Sequence, residues 1–134
     1  MAATFHRKTG HQNCRRFPSS GSMGVNTLCQ FDEGGEIAAH ATNKSVLGIV
    51  LEAATSSTEP LVDILTERDV IEARGVGVTI QASTVGDHVD VTTGNEISLT
   101  DTNKDALVVA WDGITASKCD LVFKKCAYGS SVLP

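Results

Sequence analysis

From Val25 onward, short apolar runs alternate with clusters of turn formers, and no helical stripe is sustained. Val25 to Phe31 is the first run, and Asp32-Glu33-Gly34-Gly35 follows it as a turn in which glycine adopts positive φ at little cost. Ile37 to Thr42 then returns toward a second turn at Thr42-Asn43-Lys44, which predicts a hairpin. Val46 to Ala53 is apolar almost throughout, the pattern of a strand buried on both faces. Gly48 within it predicts a bulge or a close backbone approach. Thr55 to Glu59 is a polar loop ending at Pro60.

Leu61 to Arg74 fits a partial helical stripe, or two strands around Thr66-Glu67-Arg68-Asp69. The stripe breaks at Arg68 and the flanking segments are β-like, so strands at Leu61 to Leu65 and Val70 to Ala73 are favoured. Val76 to Ile80 reads as a further strand, and Val85-Gly86-Asp87 as a turn. His88 to Thr92 alternates polar and apolar residues, which places His88 and Asp90 on a solvent face. Thr93-Gly94-Asn95 turns into Ile97 to Leu99, and Asp101 to Lys104 turns into Leu107 to Trp111. Asp112-Gly113 is a hairpin signal, Lys118 to Lys124 closes the body, and Tyr128 to Pro134 is a tail. So many short strands predict an all-β fold, a small β-barrel or sandwich.

Residues 1–24 behave differently. They show neither period, and they hold Arg7, Lys8, Arg15 and Arg16 without one acidic residue. Residues 25–134 hold the other seven cations and all sixteen acids, so the net charge of −5 combines a +4 segment with a −9 body. This predicts an extended basic N-terminal arm over 1–24 ahead of a β-rich body over 25–134. Within the arm, Phe5, Arg7, Lys8, Arg15, Arg16 and Phe17 are the candidate partner-binding residues. Cations attract an acidic surface over distance, and aromatics anchor the docked state.

Composition sets further bounds on 134 residues. Aromatics make up 4%, so the core is aliphatic. The longest apolar stretch, Val46 to Leu51, is far below the roughly 20 residues of a membrane span. No apolar stretch follows Arg7-Lys8, so no export signal is expected. Cys14, Cys29, Cys119 and Cys126 form no Cys-x-x-Cys pair, and reduced thiols in a cytoplasmic assembly compartment are expected. If Cys119 and Cys126 shared one strand, their odd separation would put them on opposite faces. An acidic body repels phosphate, which argues against nucleic acid as partner.

Candidate chemistry is sparse. Asp101, Asn103, Asp105 and Asp112 match oxygen-ligand positions of a calcium loop, but Ala106 stands where the loop needs glycine. His6, His11, Cys14 and Cys29 have no structural zinc spacing. Asp87-His88-Val89-Asp90 lacks a nucleophile elbow, and Gly75-Val76-Gly77 lacks a nucleotide-binding context. Glu67-Arg68-Asp69, Glu72 and Arg74 read as a salt-bridged surface or edge. The expectation is no catalytic residue, no metal, no cofactor and no enzymatic activity.

One resemblance adds to this. Val46-Leu47-Gly48-Ile49-Val50-Leu51-Glu52-Ala53-Ala54, a Ser/Thr loop and Val62-Asp63-Ile64-Leu65 open it. Thr84-Val85-Gly86-Asp87 and the closing Lys118-Cys119-Asp120-Leu121-Val122-Phe123-Lys124 follow. Together they resemble the capsid decoration, or cement, proteins of tailed bacteriophages, a family of small β-barrel virion proteins. The resemblance covers somewhat over half the chain and transfers no catalytic residue. It implies a virion protein on the outer capsid surface that binds the major capsid protein and reinforces the shell. It also implies a homo-oligomer, with a trimer favoured. The basic segment is not part of the pattern. Alternative readings are a head-fibre base, a tail-associated barrel, or a ligand-binding or enzymatic β-barrel, the last of which requires a pocket with convergent polar groups.

Overall fold

The computed structural model describes residues 2–127; the tail expected over Tyr128 to Pro134 lies outside them. The strands are β1 (Thr4–Arg7), β2 (Cys14–Arg16), β3 (Leu28–Phe31), β4 (Ile37–Ala39), β5 (Gly48–Val50) and β6 (Leu61–Ile64). They continue with β7 (Ile71–Arg74), β8 (His88–Thr92), β9 (Glu96–Ser98), β10 (Ala106–Ala110) and β11 (Lys118–Phe123). Six form one sheet in the order β1-β7-β11-β10-β8-β9, and five form another in the order β2-β6-β5-β3-β4. The fold is all-β as expected, and it is sandwich-like, with no closed barrel among the described residues.

The main core lies between the sheets, where Phe5 meets Phe123 with ring centroids 6.1 Å apart. β5, at the centre of the five-stranded sheet, is buried on both faces. Leu28 and Ile49 point into the main core, and their neighbours Cys29 and Val50 join a second cluster with Ile37, Leu47 and Val62. This accounts for the nearly continuous apolar run at Val46 to Ala53.

Gly48 is a close approach, as its sequence context predicts. A Cβ there would sit 2.2 Å from the Asp63 carbonyl oxygen and 2.8 Å from a Val62 methyl. The obstacle is backbone of the adjacent β6, so relief requires the sheet to shift. Gly48→Ala is expected to destabilise by about 3 kcal/mol, at the upper end for overpacking. Gly21→Ala, with nothing within 4 Å of its Cβ, is expected to be near neutral. Urea unfolding of both variants checks the contrast.

The segment expected to stand off the body as an arm is instead built into it. β1 is an edge strand of the six-stranded sheet, paired with β7, and β2 is an edge strand of the five-stranded sheet, paired with β6. Ala3 N–H donates to the Asn95 carbonyl beside the β8–β9 turn at 2.9 Å. Ile37 N–H donates to Pro18 O and Ser20 N–H to Ile37 O, both at 2.9 Å, so residues 18–20 cover the outer edge of β4. Between Arg16 and Ser19 the chain passes from one edge of the five-stranded sheet to the other, which requires that sheet to curl strongly. Met23 and Ala54 then exchange backbone hydrogen bonds. Residues 2–24 are a strap around the sandwich.

Two smaller expectations also change. Strands do form within 61–74, as favoured, but Val76 to Ile80 is not a strand. Gly75, at φ +71°, bends the chain out of β7, and Val76 and Ile80 make single backbone bonds to Ser117 and Ala116. Asp90 is not on a solvent face: it is 4% exposed and accepts from Asn103 N–H and Lys104 N–H at 2.9 Å and from Thr100 Oγ1 at 3.1 Å. Its carboxylate closes the turn before β10. β11 ends at Phe123, so Cys119 and Cys126 do not share a strand.

Candidate functional site

The six candidate binding residues separate sharply. Phe5 is fully buried in the main core. Arg7 leaves the end of β1 and reaches the other sheet. Its Nε and Nη2 donate to Asp63 Oδ2 and Oδ1 at 2.9 and 2.8 Å, a bidentate pair, and its Nη1 donates to Asp69 Oδ1 at 2.6 Å. Nη2 also donates to the Ile64 carbonyl at 3.2 Å. The Arg7 side chain is 9% exposed and that of Asp63 is 1% exposed, so this is a buried triad. Hydrogen bonding to Asp63 raises the Arg7 pKa against the opposing effect of burial. Gly10 keeps the triad closed: at φ +91° its Cβ would fall 2.2 Å from Asp69 Oδ1.

Lys8 pairs with Asp120 at 2.7 Å across the outer face of the six-stranded sheet. Asp120 lies directly opposite Glu72, a like-charge pair that repels. Cations offset it: Lys8 holds Asp120, while Arg74 and Lys118 flank Glu72. Lys8, Glu72, Lys118 and Asp120 line a cavity of about 190 Å³ together with Trp111 and Asp112. The Arg74 hydrogen bond holds the Glu72 carboxyl below its ordinary value, so it stays ionised and is unsuited to donate a proton near neutrality. Arg16 pairs with Glu52 at 2.6 Å with both side chains about half exposed, and Phe17 packs edge-on against Phe31 at 5.5 Å. Arg15 is exposed on β2 and has no carboxylate partner among the described residues.

The remaining sequence candidates are scattered. Asp105 precedes β10 and accepts from Val91 N–H, whereas Asp112 follows β10 and accepts from Ile114 and Thr115 N–H in its own turn. Cys29 is buried with its thiol on the Gly48 carbonyl, and Cys14 is exposed. Among the described residues no three His, Cys, Asp or Glu side chains gather as metal ligands, and no helix is long and apolar enough to cross a membrane. The chain matches no family model and no curated protein.

Sequence reasoning also missed the buried imidazole of His40. His40 is 1% exposed, and its Nε2 donates to the Lys44 carbonyl at 2.9 Å, which leaves Nδ1 unprotonated. Nδ1 has no hydrogen-bond partner among the described residues, and burial lowers the His40 pKa from 6.5. The unfolded chain therefore binds a proton more readily, and stability falls as pH drops below about 6.5. His6 is lowered too, mainly by burial. His40→Gln is expected to flatten the decline between pH 6.5 and 5, measured by thermal unfolding across that range. An unchanged slope would assign the decline to other groups.

Proposed function

We propose that this chain is a structural virion protein of a tailed bacteriophage. It binds the outside of the capsid through the major capsid protein and stabilises the shell by bridging capsid subunits, as a homo-oligomer with a trimer favoured. The resemblance supports this reading, and its segments fall on β5, β6, the turn before β8, and β11. The observation that carries a docking surface is Ile114, 87% exposed in the turn between β10 and β11. Val85, Leu99 and Val109 add further exposed apolar side chains. Burying such side chains against a partner removes apolar surface from water and favours association. Contacts made only in the assembled shell stabilise it by linkage, without chemistry.

The test is co-sedimentation with capsids assembled from the major capsid protein encoded alongside this chain, followed by thermal disruption of the particles. Wild-type chain is expected to pellet with the capsids and raise their disruption temperature, and Ile114→Asp to do so more weakly. Absence of wild-type binding would overturn the proposal, and undiminished binding by Ile114→Asp would remove that turn from the contact.

A further inference from the structure

We propose that the outer edge of β2 is a docking strand for an extended acidic segment of a partner protein. Ile64 N–H donates to Asn13 O at 3.0 Å, so Asn13 and Arg15 face β6. By strand alternation, Cys14 and Arg16 turn their backbone N–H and C=O groups outward. No backbone bond reaches those groups among the described residues, and all three residues of β2 are exposed. The other edges are more closed. Asn26 O accepts from Phe5 N–H on β1, residues 18–20 cover β4, and the central residue of β9, Ile97, is 4% exposed.

Charge selects the occupant. Arg16 is already neutralised by Glu52, whereas the neighbouring Arg15 guanidinium has no carboxylate partner among the described residues. A second copy pairing β2 against β2 antiparallel would bring arginines together, which edge cations disfavour. An acidic strand meets the same edge with attraction and two sets of main-chain hydrogen bonds, the strand-addition mode of peptide recognition. Such a segment supplies the second contact that bridging needs, on the sheet opposite the one carrying Ile114. Only that last point rests on the capsid reading.

The experiment uses the full chain, isotope-labelled, with two capped five-residue peptides at low salt. One alternates glutamate with valine, the other lysine with valine. The glutamate peptide is expected to shift the Cys14 and Arg16 amides saturably and to bind about fivefold more tightly than the lysine peptide, the effect of one exposed ion pair. Arg15→Glu, at an exposed position, is expected to keep the thermal midpoint and reverse the preference. No saturation, shifts confined to other strands, equal binding of both peptides, or a preference unchanged in Arg15→Glu would each overturn the proposal. So would self-association through β2 seen by sedimentation. Capsids are absent from this experiment, so its failure and a failure of capsid binding are told apart.

Discussion

Deleting residues 2–17 is expected to abolish cooperative folding. The deletion removes β1 and β2 and with them the pairing partners of β7 and β6. It removes Phe5, whose ring is fully buried against Phe123. Truncating a buried phenylalanine alone costs about 3–5 kcal/mol. It also removes Arg7 and strands Asp63, whose side chain is 1% exposed, at a further cost of about 3–5 kcal/mol. A domain of this size has about 5–15 kcal/mol in total. Circular dichroism and thermal melting check the result; a sharp melt near the full-length midpoint would show that the strap is dispensable. The same reasoning changes how partner binding is tested. Loss of capsid binding after such a deletion would report unfolding, so point changes at Arg15 or Ile114 are the informative ones.

The charge split of the sequence has its explanation inside the molecule. Arg7 meets Asp63 and Asp69 at separations of 56 and 62 residues, Lys8 meets Asp120 at 112, and Arg16 meets Glu52 at 36. The +4 segment closes on the −9 body. Nothing in local pattern reports such distances. β1 and β2 are four and three residues long, too short to show a period of two. The same limit hides Asp90, whose place in the alternation is that of a solvent-facing residue while its carboxylate serves a turn ten to fourteen residues on.

Where burial is continuous or the turn chemistry is strong, the sequence was legible. The doubly buried β5, the close approach at Gly48, the hairpin around Gly34 and Gly35, and the two strands within 61–74 all follow from local composition. Each rests on neighbours along the chain. The candidate site did not, because its cations are consumed by acids from the far side of the sequence. Arg15 alone of the four cations faces solvent without a carboxylate partner among the described residues.

Arg7→Met tests the strap at its centre. The variant is expected to lose about 3–5 kcal/mol, because Asp63 and Asp69 remain buried with their shared counter-ion gone. Asp69 keeps the Thr66 N–H at 2.8 Å, but Asp63 Oδ1 retains only a long bond of 3.4 Å from Asn13 N–H. Asp63 therefore carries most of the penalty. The double variant Arg7→Met, Asp63→Leu removes that stranded charge and is expected to be more stable than Arg7→Met alone. In a double-mutant cycle the coupling between the two sites is expected to exceed about 1 kcal/mol. Urea unfolding of the four proteins measures it. Additive effects would mean that the bidentate pair contributes nothing specific, and that β1 is held by Phe5 and its ladder to β7 alone.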